Sequence, residues 1–141
     1  MNSILKSCLY VAMLSLWSLS SFSAFAAVAD KQADKQAEIK QQLLKLGTEK
    51  ICDPESEMYC EAHTAFVQGT DAIVLLSVQP TAGLFVIFQQ EKTGLWVHRE
   101  THSLLDYEEG IAESKLSKAS QAYFNQAMTA YLESRQEKPK D

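Results

Sequence analysis

Between residues 62 and 101 the chain carries four runs rich in Val, Ile, Leu, Phe and Thr, separated by short segments that each contain a glycine: Gly69, Gly83 and Gly94. Connections of this length, with glycine available for the left-handed backbone positions of tight turns, join strands as hairpins. The stretch therefore predicts an antiparallel meander with strands over about 62–68, 71–79, 84–90 and 95–101. Counting back from the turns sets Val78 opposite Phe85 and Leu76 opposite Ile87, with Trp96 and Val67 on the same side. Phe66, Ile73, Leu75, Leu84, Val86, Phe88 and Val97 then fall on the other. Both faces of the central strands are apolar, whereas a sheet with one face in water alternates with polar residues. Each face needs a cover.

Two helical patterns flank the meander. Ile39, Leu43 and Leu46 recur at the spacing of one helix face, and Gly47 reads as the C-terminal stop. The preceding residues, 30–36, hold a short polar repeat (Asp-Lys-Gln-Ala, then Asp-Lys-Gln-Ala) and read as a frayed lead-in. After a polar link over 103–110, a second helix is expected from about 113 to 134. Leu116, Ala119, Tyr123, Ala127, Ala130 and Tyr131 form its apolar stripe, widened by Phe124, Met128 and Leu132, with a frayed tail beyond. If both helices share one sheet face, the other is an exposed apolar patch open to a partner or to a second copy. The fold class expected is α+β: an N-terminal helix, a disulfide loop, a four-stranded antiparallel meander and a C-terminal helix packed on the sheet.

The N-terminus has a different character. Lys6 is followed by an uncharged run to Ala29 that includes Leu9, Tyr10, Val11, Met13, Leu14, Leu16 and Trp17 and ends in Ala24-Phe25-Ala26 and Ala27-Val28-Ala29. A basic start, an apolar middle and a small-x-small ending are the pattern of a secretory signal peptide. The serines that interrupt the run at 15, 18, 20, 21 and 23 leave its dense apolar part too short for a membrane span. Cleavage after Ala26, with Ala29 as the second choice, leaves one domain, 27–141, and the lipoprotein reading of Cys8 fails because that cysteine precedes the apolar run. Only Lys6 departs with the leader among charged residues, so a net charge of −5 becomes −6. An acidic exported domain is a poor ligand for nucleic acid or anionic membranes and favours basic partners. The expected compartment is the periplasm, or the exterior in a cell without one.

Cys52 and Cys60 remain as an even pair, which in an exported chain reads as one disulfide. Their spacing is too long for the Cys-x-x-Cys of redox pairs, and zinc would need more ligands. The loop they close, 51–61, carries Asp53, Pro54, Glu55, Glu57 and Glu61 around Met58 and Tyr59. Its acids lack the glycine-assisted wrap of a calcium site. A pinned acidic loop with an aromatic tip is instead a preorganised projection for a basic cleft.

Other constellations are weaker. His98, Glu100 and His102 supply metal-ligand chemistry, and strict alternation would place all three on one strand face. It would also separate the histidines by about 13 Å, too far for one ion. His63 falls at the opposite sheet edge. No Gly-x-Ser-x-Gly, no His-Glu-x-x-His and no phosphate loop occurs, and Asp106, Glu108 and Glu109 suit the start of a helix. No catalytic residue, cofactor or metal is assigned. The expected function is a non-catalytic exported protein-binding module, such as an inhibitor, an immunity-type factor or an envelope accessory protein. Its partner-binding candidates are Asp53, Glu55, Glu57, Met58, Tyr59 and Trp96. The alternatives are a carrier of small apolar ligands, held between the sheet and the C-terminal helix near Trp96, Tyr123 and Tyr131, and a metal protein or enzyme using the histidines.

Overall fold

A computed structural model describes residues 20–80 and 83–136. The elements run α1 (Ser20–Ile51), β1 (Cys60–Gln68), β2 (Asp71–Val78), β3 (Leu84–Gln90), β4 (Trp96–Ser103), α2 (Tyr107–Glu113) and α3 (Lys118–Gln136). The described residues divide between Glu38 and Ile39 into two compact units. The first is helical from Ser20 onward, and the expected leader lies outside the described residues as far as residue 19. Residues 30–36 are helical rather than a frayed lead-in: three of the four residues in each repeat, Lys, Gln and Ala, are strong helix formers, and neither Gly nor Pro interrupts them.

In the second unit the four strands form one sheet in the order β1-β2-β3-β4, antiparallel throughout. Gly69 and Gly94 take positive φ, 60° and 85°, in the two tight turns at one end of the sheet. The register of β2 with β3 differs from the one counted from the turn. Leu76 faces Leu84, Leu75 faces Phe85 and Ile73 faces Ile87. Ser77 and Val78 stay in β2 because they pair with Glu61 and Cys60 of β1, so the connection to β3 is longer than the hairpin turn the spacing implied. A shift by an odd number exchanges faces between strands, and the two apolar sets regroup accordingly.

On one face Ala65, Ala72, Val74, Leu76, Val86, Phe88 and Trp96 pack with Leu43, and with Ile39, Leu44, Leu46 and Ile51 of α1 around it. On the other, Ile73, Leu75, Phe85 and Ile87 pack with Ile111 of α2, Leu116, and Phe124 and Met128 of α3. The second unit is thus a three-layer sandwich, with helix on both sides of the sheet. The apolar face left open by the sequence pattern is filled by the chain's own helix, which removes it as a surface for a partner or a second copy.

Two glycines mark where the layers meet most closely. Gly47 lies inside α1 rather than ending it, and a Cβ there would sit 2.8 Å from Cγ1 of Val74. A Cβ on Gly110 of α2 would sit 2.9 Å from the ring of Phe85. Contacts this short displace packed neighbours.

The C-terminal region is two helices, not one. Residues 103–110 are not wholly a polar link, because Tyr107–Glu113 is a helix with Glu108 and Glu109 in its first turn. It ends at Ser114, whose extended backbone (φ −65°, ψ 160°) breaks the helix and whose Oγ donates to the Ile111 carbonyl at 2.6 Å. Helix α3 restarts where Ser117 Oγ accepts the Ser120 N–H at 3.1 Å, a side-chain cap on the first turn. Of the expected apolar side, Phe124 and Met128 of α3 are buried and form its inward face with Ser120 and Gln121, whereas Ala119 and Tyr123 are exposed. Buried Gln121 fastens the break, its amide donating to the carbonyls of Ser114 and Leu116 at 3.2 and 3.3 Å.

Candidate functional site

The disulfide loop is built by local rules. Helix α1 ends with Cys52 N–H donating to the Thr48 carbonyl at 2.8 Å. Asp53 then starts a turn: its carbonyl accepts from Ser56 N–H at 3.1 Å and its Oδ1 from Glu55 N–H at 2.9 Å. Pro54 occupies the second turn position, where its fixed φ costs nothing. Ser56 Oγ accepts from Met58 N–H at 3.2 Å. The far side is held by the sheet, since Gln79 N–H donates to the Tyr59 carbonyl at 2.9 Å. The Cys52–Cys60 disulfide closes the loop, with the two Cα atoms 5.6 Å apart.

Every turn of the loop is therefore fixed from inside, which leaves its side chains outward. Met58 and Tyr59 are 56% and 50% exposed, and Asp53, Glu55 and Glu57 are exposed around them. The Tyr59 hydroxyl donates to the carboxylate of Glu61. Five of the six partner-binding candidates thus lie exposed on one disulfide-closed loop. The sixth, Trp96, does not. It is 8% exposed and packed in the core beneath α1, because β4 turns that residue toward the helix, so it has no surface to offer a partner.

The sheet topology adds a neighbour. In an antiparallel meander the start of β1 and the end of β4 lie at the same end, three strand spacings or about 14 Å apart. The link after β4 therefore shares that end with the disulfide loop. It holds Leu105, 73% exposed, followed by Asp106, Glu108 and Glu109.

The grouping of Trp96, Tyr123 and Tyr131 is overturned. Trp96 faces α1, whereas Tyr131 packs edge-on against Phe66 on the opposite sheet face, with ring centroids 6.1 Å apart. The sheet lies between Trp96 and Tyr131, so the two do not face one space.

The histidines are separated by irregularities at both sheet edges. In β4, Phe88 pairs with His98 and Ile87 with Glu100, so Arg99 is an extra residue, a bulge. The bulge reverses alternation. His98 turns to the α1 side, beside Phe88, with Nε2 2.9 Å from Thr101 Oγ1. His102 and Glu100 turn to the other side, where His102 stacks on Phe85 at 5.1 Å and donates from Nε2 to Glu100 Oε2 at 3.0 Å. The expectation of three ligands on one face fails at this residue. In β1, His63 is itself the bulged position, with Nε2 2.6 Å from Ser77 Oγ. Among the described residues no three His, Cys, Asp or Glu side chains gather to hold an ion, and no helix is long and apolar enough to cross a membrane.

Two polar groupings had no simple sequence signal. Asp71 is buried, its Oδ2 accepting from Ser120 Oγ at 2.6 Å and its Oδ1 from Gln89 Nε2 at 3.1 Å. It ties α3 to the sheet. In the sequence Asp71 is only the first residue of the second strand run, with nothing to mark a partner 49 residues away. Glu100 ties the α2–α3 link to β4, its Oε1 accepting Lys115 N–H at 3.2 Å. Partial burial pushes the Glu100 carboxyl up, but the His102 and Lys115 hydrogen bonds and their charges outweigh it and hold the group below the usual glutamate range.

No protein family, curated protein or solved structure matches this chain.

Proposed function

We propose that the chain is an exported protein-binding module that docks a basic partner through the loop closed by Cys52 and Cys60. The observation that carries this reading is the exposure of Met58 and Tyr59 on a loop whose every turn is held by internal hydrogen bonds. Apolar and aromatic side chains held rigidly in water lose little freedom on binding, and such residues dominate interface energetics. Asp53, Glu55 and Glu57 ring them and match a cationic rim around a pocket that receives Tyr59. Leu105 and the acids after it extend the same end of the sheet. The disulfide fits an oxidising compartment, and with the leader pattern of residues 1–26 it supports export to the periplasm. An inhibitor, an immunity-type factor or an envelope accessory protein would each use such a projection, none needing a catalytic group.

The test is crosslinking capture from the cell envelope, run in parallel with the wild-type protein, Tyr59→Ala and Glu55→Lys/Glu57→Lys. A basic protein retained by the wild type, released by either variant and lost as salt rises supports the loop as the contact. Capture that is the same for all three proteins overturns it.

A further inference from the structure

The bulge at Arg99 lies beside a cleft of about 250 Å³ formed by β3, β4 and the link between α2 and α3, and lined by Ile87, Gln89, Arg99, Glu100, Lys115 and Leu116. Its chemistry is divided. Ile87 and Leu116 are 2% and 9% exposed and give it an apolar floor. Arg99 and Lys115 contribute two positive charges. Glu100 contributes one negative charge, and each of its oxygens already accepts a hydrogen bond, from Lys115 N–H and His102. The Arg99 guanidinium forms an ion pair with Glu91, at 3.5 Å, with both side chains nearly half exposed. Pairs of that kind contribute little and exchange readily for a better anion.

The geometry points to a binding site for a small aliphatic carboxylate, its carboxylate on Arg99 and Lys115 and its hydrocarbon on Ile87 and Leu116. Charge selects the class: once a ligand displaces Glu91 from Arg99, the two cations of the lining stand against the engaged Glu100 carboxylate and leave a net +1, which a monoanion neutralises and a phosphate dianion exceeds. An ammonium group would meet two like charges and a Glu100 that is already engaged. Size selects the length. At roughly 30 Å³ per water the cleft equals about eight waters, a ligand of about eight non-hydrogen atoms, below the volume that takes drug-sized molecules. The planar fork of Arg99 pairs with a carboxylate through two parallel hydrogen bonds, and the bulge is what departs from regular alternation at this residue. A free short-chain acid and the C-terminal residue of a peptide share this chemistry. The site lies apart from the disulfide loop and does not depend on the docking reading.

The probe is 4-methylpentanoate, titrated into isotopically labelled protein and followed by backbone amide NMR, with 4-methylpentylamine as control. Saturable shifts at Gln89, Glu100, Lys115 and Leu116 are expected with the acid and not with the amine. Arg99→Gln is expected to weaken binding roughly 10- to 100-fold, the worth of a charge-assisted hydrogen bond pair, and Lys115→Gln to weaken it by less. Both side chains are at the surface, so neither variant threatens the fold. A leucine-terminated peptide that shifts the same amides only with a free C-terminus assigns the site to peptide ends, and response to the free acid alone assigns it to a small metabolite. Absence of saturable shifts, equal shifts with the amine, or unchanged affinity in both variants overturns the assignment.

Discussion

Replacing Gly47 by alanine sets two effects of opposite sign against each other. Gly47 lies in the interior of α1, where alanine is favoured over glycine by about 1 kcal/mol. At an exposed helix position that gain would be the whole result. Here the new methyl would stand 2.8 Å from Cγ1 and 3.4 Å from Cβ of Val74, whereas carbon atoms pack best at about 3.5–4.0 Å. Val74 is fully buried in the middle of β2, and its branched side chain has few rotamers to escape into. Overpacking of this kind costs about 1–3 kcal/mol, and the stiffness of the neighbour places it in the upper half of that range. Gly47→Ala should therefore destabilise the protein by about 1–2 kcal/mol. Val74→Ala alone should cost about 2–3 kcal/mol from two lost methyl groups and the space they leave. In that background the methyl added at position 47 enters the vacated space, and Gly47→Ala should become stabilising by about 1 kcal/mol. Urea unfolding followed by far-ultraviolet circular dichroism reads all four corners of the cycle, with an unchanged slope confirming a common transition. If Gly47→Ala stabilises the otherwise wild-type protein, or acts equally in both backgrounds, α1 does not approach the sheet through Gly47.

Three further outcomes follow from the same contacts. Cys52→Ser/Cys60→Ser opens a loop of eight-residue separation and should lower stability by about 2.5 kcal/mol in the chain-entropy treatment, measured by urea unfolding of the variant against the oxidised protein. Asp71→Ala strands Ser120 Oγ and Gln89 Nε2 within the sheet–α3 contact and should cost about 2–3 kcal/mol; a loss below about 0.5 kcal/mol, the size of an ordinary surface substitution, would mean the buried network contributes nothing. Glu100 titrates below the usual glutamate range in the folded protein, so its contribution is present above the unfolded value and lost as pH falls through the folded one. The melting-temperature gap between wild type and Glu100→Gln should thus be largest near neutral pH and shrink below about pH 4; a gap that widens on acidification would reverse the assigned direction.

Much of the fold was legible in local pattern. Strand positions, hairpin turns and the disulfide pair all follow from interactions within about ten residues, where glycine placement and cysteine spacing act directly. Local counting failed at the β2–β3 register. The end of β2 is held by β1, a partner earlier in the chain, so the turn closes late. It failed again at His98, Glu100 and His102, because one extra residue at Arg99 reverses the alternation on which their common face depended. The α2–α3 break was marked by Ser114 and Ser117, but serine inside an apolar helical pattern is a weak signal until its side chain has a carbonyl or an amide to bind. The loop candidates Asp53, Glu55, Glu57, Met58 and Tyr59 were readable as a surface because a short disulfide loop can bury little. An edge-strand tryptophan such as Trp96 reads first as a lid on the core, and its packing beneath α1 bears out that reading over its candidacy as a partner contact.

By itself the sequence determined that this chain forms strands joined by hairpins, with apolar residues on both faces and a pinned acidic loop, since propensity, turn chemistry and crosslinking act over short separations. Tertiary structure alone decided which face each strand residue joined, that α1 covers one side and α2 with α3 the other, and that Gly47 is a contact rather than a stop. It also brought Arg99, Glu100 and Lys115 around one cleft and set the disulfide loop at the same end as Leu105. The physical reason is that register and layer order are fixed by the fit of surfaces far apart in the chain, where a one-residue bulge or a missing methyl changes which atoms meet.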